Sequence, residues 1–181
     1  MLSDISDFLL RTLTGLILAV IMLRFLLQMV RANFRNPIAQ AIVQLTSPLV
    51  VPVRRIIPSI GTIDAATLLV AYGVQVLLLA ALMLLRGYGI SGQLLIDAVF
   101  ALANLTLTIF MVALLIGVVL SWVAQGSYNP AGALADELTR PVLTPIRRII
   151  PPIAGFDLSP LFALMLIQIC RIVLTHLYKA V

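Results

Sequence analysis

The chain has 181 residues, is 62% hydrophobic and only 10% charged, and has a mean hydropathy of +1.15. A soluble domain carries roughly 25% charge and could not hide this much apolar surface in one core of this size, so composition excludes an ordinary soluble protein and points to an integral membrane one. The formal net charge of +5 would suggest nucleic acid in a soluble domain, but here the basic residues sit in short loops beside apolar runs, which suits anionic lipid headgroups rather than nucleic acid.

A bilayer crossing takes about 20 apolar residues, and the chain offers four such runs. The first spans about 8–30 and is too long for a signal peptide, with no small-residue cleavage site behind it. Arg24 lies deep within it. Snorkelling to the headgroups is one account of that arginine, and a buried functional charge is the other.

Next comes a loop, "NPIAQAIVQLTSPLVVPVRRIIP". Ile38, Ile42 and Leu45 recur at helical spacing, and Pro48 is expected to end or kink that helix. A second short turn should follow, with Leu49, Val53, Ile56 and Ile57 on one side and Arg54 and Arg55 pointing elsewhere. An apolar stripe with a basic opposite face suits a segment lying in the headgroup region. Asn36 before Pro37 reads as a turn former. Asp64 reads as the cap of the next helix, or as an ion-pair partner for the loop arginines.

The second span covers about 65–85, with the amide Gln75 inside it, and the third covers about 94–123. A second ornate loop follows and ends in "PIRRIIP", and the fourth span covers about 158–177 with Gln168 inside it. Polar amides in hydrocarbon usually face another helix, so Gln75 and Gln168 are expected at a helix–helix contact. Arg171, His176 and Lys179 lie in or near the fourth span. Cys170 is the single cysteine, which excludes an internal disulfide and a redox motif. With one histidine as well, a metal or haem site built by this chain alone is not expected, and no cofactor is implied. No Ser-His-Asp set, phosphate loop or HExxH motif appears, so the chain reads as a non-enzyme.

The two loops are copies. Sliding the chain by 93 positions aligns its halves without a gap, and about 13 of the 29 positions in 36–64 are identical in 129–157. Asn36-Pro37 falls on Asn129-Pro130, Pro48 on Pro141 and Pro52 on Pro145. Arg54 to Pro58 falls on Arg147 to Pro151, Asp64 on Asp157 and Gln75 on Gln168. The fold expected is therefore all-α: four transmembrane helices as two parallel-repeat units, 1–88 and 94–181, each with a Pro-rich amphipathic interfacial loop between its helices. Two spans per unit make the repeat parallel, with a pseudo-twofold axis along the membrane normal. Arg54, Arg55, Arg147 and Arg148 recur inside this matched frame and are the candidate contacts to lipid phosphate or a partner.

These two loops closely resemble the signature loop of the YggT family, through the shared N-P, L-T-x-P, P-x-R-R-I-I-P and following Asp. The resemblance covers essentially the whole chain. It implies a small bacterial inner-membrane protein without established catalytic residues. Relatives have been linked to osmotic-stress tolerance and cation uptake, to cell division or nucleoid distribution, and to assembly of a plastid b-type cytochrome. Two functions follow as expectations. One is a docking, assembly or envelope-maintenance factor whose partners are anionic lipids and other envelope proteins, with homo-oligomerisation left open. The other is ion transport, or modulation of cation uptake, using Gln75, Gln168, Asn104, Arg24 and Arg171.

Loop charge sets the expected orientation. The two motif loops hold seven arginines, at 31, 35, 54, 55, 140, 147 and 148, against Arg11, Arg86 and Lys179 on the other face. Both loops should be cytoplasmic and both termini periplasmic. Single cysteines at Ser59 and Ser127 in a Cys170→Ala background should then resist a membrane-impermeant thiol reagent in intact cells. Labelling there, with protection near Met1, would invert the topology.

Overall fold

A computed structural model describes residues 2–59, 61–123, 128–150 and 157–180. It contains six helices: α1 (Leu2–Met29), α2 (Pro37–Arg54), α3 (Ala65–Leu85), α4 (Gln93–Val123), α5 (Pro130–Ile149) and α6 (Ser159–Ala180). Among the described residues, α1, α3, α4 and α6 are long and apolar enough to cross a membrane. The chain is a multi-pass membrane protein. The span predicted at 8–30 starts earlier, since α1 is helical from Leu2. At about 1.5 Å per residue α4 is about 46 Å long, so it outreaches a hydrocarbon core of about 30 Å. Its end carries Trp122, largely exposed, as expected where a helix leaves the lipid.

The loop helices are longer than the sequence suggests. The expected break at Pro48 does not occur: α2 runs unbroken through Pro48 and Pro52, and α5 through Pro141 and Pro145. The reason is the placement of the prolines. Each removes the N–H that would bond the carbonyl four residues back, and here the prolines lie four apart on the exposed side of the helix, as does Gln44. The freed carbonyls of Gln44 and Pro48 therefore point away from the protein, toward water or headgroups. The turn before Pro48 is also knitted by side chains, with Thr46 Oγ1 donating to the Ile42 carbonyl at 2.6 Å and Ser47 Oγ to that of Val43 at 2.5 Å. Thr139 donates to the Ala135 carbonyl in the same way, at 2.8 Å.

The buried stripe of α2 is Ala39, Ile42, Thr46 and Val50. The expected face through Ile38, Ile42 and Leu45 is rotated, because Leu45 is 70% exposed and Ile38 is also exposed. The last turn and a half of α1, from Arg24, and the turn after it as far as Ala32 meet α2 between Ala39 and Arg54, about 22 Å of helix. So α2 lies across the end of α1 instead of running beside it. That is how an amphipathic helix sits at a membrane surface.

The two repeats touch at α1–α4, α2–α5, α3–α4 and α1–α5, but the expected twofold does not close. α3 packs against both α1 and α4, whereas among the described residues α6 packs only against α4 and α5. A closed twofold would pair the α3–α4 contact with one between α6 and α1. The asymmetry has a covalent cause, since residues 86–92 tie α3 to α4 and nothing ties α6 to α1. Across the bundle an ion pair between Arg86 and Asp7 holds the end of α3 to the start of α1.

Two helices end in the same hydrogen-bonded motif. After α1, Ala32 N–H bonds the Leu27 carbonyl and Arg31 N–H that of Gln28; after α3, Tyr88 and Gly87 do likewise to Met83 and Leu84. The motif needs a left-handed residue, and these are Arg31 at φ 56° and Gly87 at φ 74°. Only the first has a side chain to strain there. Arg31→Gly should stabilise the fold by about 1 kcal/mol, read as a higher melting midpoint in detergent; a lower midpoint would mean that the Arg31 side chain holds contacts worth more than its backbone strain.

Candidate functional site

The start of each loop helix is fixed by the Asn-Pro pair. Asn36 caps α2 by accepting from Ile38 N–H at 2.9 Å, and Asn129 caps α5 by accepting from the N–H groups of Ala131 at 2.9 Å and Gly132 at 3.4 Å. Pro37 and Pro130 occupy the first helical turn, where a missing N–H costs nothing. Asn36 does more than cap. Its Nδ2 donates to the Pro130 carbonyl at 2.7 Å, and Asn33 N–H donates to Glu137 Oε2 at 2.8 Å. The starts of the two loop helices are thus bonded to each other across the repeats.

The far end of each loop helix is fixed by the arginine–aspartate pair ten residues apart. Arg54 pairs with Asp64 and also reaches Gln28 Oε1 at 3.3 Å, so one guanidinium joins the ends of α1 and α2 to the start of α3. Asp64 is fully buried and caps α3, accepting from Thr67 N–H at 3.3 Å and Thr67 Oγ1 at 2.5 Å. It is cap and ion-pair partner at once, where the sequence left these as alternatives. In the second repeat Arg147 pairs with Asp157 at 2.8 Å, and Asp157 accepts from Ser159 N–H at 2.9 Å. This pair is more open, with side chains 49% and 30% exposed against 36% and 0% in the first.

Burial pushes both carboxyls up, but hydrogen bonds from Thr67 and Arg54 at Asp64, and from Ser159 and Arg147 at Asp157, outweigh it. Together with the guanidinium charge they hold both groups below the ordinary carboxylate value.

The four motif arginines therefore divide. Arg54 and Arg147 turn inward onto carboxylates. Arg55 and Arg148 are exposed, without an ion pair among the described residues. Beside them Ile56 is 82% and Ile149 80% exposed. Pro58 is exposed just beyond the first pair, and Pro151 lies outside the described residues.

The remaining polar residues scatter. Arg24 is buried, not snorkelled, and donates to Thr46 Oγ1 at 2.8 Å, the Val43 carbonyl at 3.2 Å and Ser47 Oγ at 3.4 Å, all on α2. Gln75 is buried in α3 as expected of a helix contact, but Gln168 is exposed on α6. The open side of α6 accounts for the difference. Arg171 Nε donates to Asn104 Oδ1 at 3.1 Å between α6 and α4. Among the described residues, no three His, Cys, Asp or Glu side chains gather closely enough to hold a metal ion. The Arg-Arg pair followed by an aspartate at the same interval in both repeats was the signal in the sequence for an ion pair; only the fold assigns which arginine turns inward.

The family model described as CCB3/YggT matches the chain twice, over residues 4–85 and 96–178. An uncharacterized protein of Pseudomonas aeruginosa is 45% identical over 93% of this chain and 87% of its own length. An uncharacterized protein of Vibrio alginolyticus is 44% identical over 86% and 85%. The uncharacterized protein YggT of Escherichia coli K12 is 35% identical over 96% and 90%. No solved structure matches.

The two ion pairs should differ in worth. Removing one partner of a buried pair costs about 3–5 kcal/mol, and an exposed pair is worth about 1 kcal/mol or less, so Asp64→Ala should lower stability in detergent far more than Asp157→Ala. Because both folded-state pKa values are depressed, the stability the carboxylates add is complete above the ordinary carboxylate range. It is lost as the pH falls through the folded-state values. Asp64→Ala should therefore flatten the acid limb of stability against pH, and an unchanged limb would contradict the role given to Asp64.

Proposed function

The chain belongs to the CCB3/YggT family, and on that premise we propose that it is a non-enzymatic inner-membrane docking or assembly factor. It would act through the paired arginine–isoleucine tips at the ends of α2 and α5, facing the cytoplasm. The observation that supports this is the division of the arginines. One of each pair is spent holding the loop helix to the following span, and that leaves Arg55-Ile56 and Arg148-Ile149 projecting at equivalent positions. An exposed isoleucine beside a guanidinium with no ion pair among the described residues suits a lipid headgroup layer or an acidic, partly apolar partner surface. The starts of α2 and α5 are bonded to each other, which supports reading the two tips, at the far ends of these helices, as parts of one surface. Envelope maintenance under osmotic stress fits such a scaffold.

An ion route supporting cation uptake is the other function open to this family. It needs polar groups in line across the bilayer. Arg24 is taken up by α2, Arg171 by Asn104, and Gln168 faces outward, which favours the docking role.

Arg55→Gln with Arg148→Gln should leave insertion and melting unchanged, because neither side chain forms an ion pair among the described residues, yet fail to restore a deletion strain under osmotic stress. Lysine at both sites distinguishes the contacts. Attraction to lipid needs only charge and survives lysine, whereas bidentate pairing with a carboxylate does not. Full restoration by the glutamine variant would reduce both residues to topology anchors.

A further inference from the structure

The repeats agree in register yet differ in charge at one place. Ile21 and Leu114 are buried at equivalent positions, as are Thr46 and Thr139. Within this shared frame, the face of α1 that meets α2 carries Arg24 and Gln28 one turn apart. The equivalent positions on α4 are Gly117 and Ser121. Two long polar side chains are thus replaced by none and by a hydroxymethyl. On the facing helix Val43, whose carbonyl accepts from Arg24, becomes Asp136. In the second repeat the structure consequently has a cleft of about 650 Å³ between α4, α5 and α6. Gly117, Ser121, Asp136, Thr139, Arg147 and Asp157 line it together with leucines. A Cβ on Gly117 would meet only Asp136 Oδ1, at 3.7 Å, so the carboxylate faces the place from which Arg24 projects in the first repeat.

The charges around the two places are opposed. The first repeat sets Arg24 and Arg54 about one carboxylate, Asp64, and Arg24 lies near both. The second sets Asp136 and Asp157 about one guanidinium, Arg147, which is already paired with Asp157. Arg140, at the Ser47 position one turn beyond Asp136, is exposed and forms no ion pair with it. The undescribed residues 124–127 and 151–156 carry no charge. Asp136 is exposed and faces the cleft as a carboxylate with no cation within 4.0 Å among the described residues.

We propose that this cleft binds a guanidinium group carried on an apolar stem, which takes in the second repeat the place that Arg24 takes in the first. Asp136 would accept from two of its N–H groups, as a planar fork allows. The Thr139 hydroxyl stands where Thr46 receives Arg24. Leu114, Leu115, Leu161 and Leu164 would cover the stem. The site is independent of the arginine tips, which lie at the outer ends of the loop helices. Its ligand could be supplied as a free guanidinium compound or as the arginine side chain of a partner.

The test uses the purified full chain in detergent and follows the melting midpoint against n-butylguanidinium, with potassium chloride at equal ionic strength as control. The wild type should show a saturable rise, with apparent affinity falling about tenfold or more in Asp136→Asn. Gly117→Arg supplies the group from within. It should raise the midpoint without ligand and abolish the response. An equal response in Asp136→Asn would overturn the proposal, and so would an Asp136-dependent rise with potassium alone, which would mark an inorganic cation site. A photo-crosslinker at Ser121 in cells separates the sources. A discrete adduct abolished by Gly117→Arg assigns a partner's arginine, and a detergent response with no adduct assigns a free compound.

Discussion

Everything at the loop-helix end of this molecule hangs on a carboxylate that serves two helices. Asp64 satisfies the orphan N–H groups at the start of α3 and at the same time binds the guanidinium at the end of α2. In lipid an unsatisfied backbone donor costs several kcal/mol, so the cap is obligatory where a span begins. A charge placed there for the cap then needs a counter-charge, and Arg54 supplies it. The distance between them along the chain is set by the turn after α2, and the same ten-residue interval recurs between Arg147 and Asp157. This one interaction decides which arginine is held and which is left outside.

The loop helices follow from that anchoring. Pinned at one end by the aspartate pair and at the other by the Asn-Pro caps, α2 and α5 need no strong helix propensity of their own. They keep four interior prolines between them because the lost hydrogen bonds face outward. Thr46, Ser47 and Arg24 add donors on the inward side of α2. The second repeat keeps the threonine, drops the arginine, and gains a cleft in exchange.

Much of this was legible in the chain itself. Four apolar runs gave the spans to within a few residues, and the 93-residue offset gave the paired loops, because both signals are local or repeat in sequence. Three things were not legible. The continuity of α2 through Pro48 and Pro52 depended on which face the prolines take, and an apolar helix with exposed Leu45 and buried Ala39 hides that face from periodicity. The open twofold depended on which neighbours α6 lacks, a fact of tertiary packing that no repeat alignment carries. Burial of Arg24 depended on α2 crossing the end of α1, which places acceptors within its reach.

The central claim is that the two arginine–aspartate pairs hold the loop helices so that their tips project as a fixed pair. The most direct measurement is the distance between spin labels at positions 56 and 149, in a Cys170→Ala background, by pulsed electron resonance in lipid nanodiscs. The account predicts a single narrow distribution that broadens when Asp64 and Asp157 are both changed to Ala. A distribution already broad in the parent chain, or one indifferent to loss of both carboxylates, would contradict it.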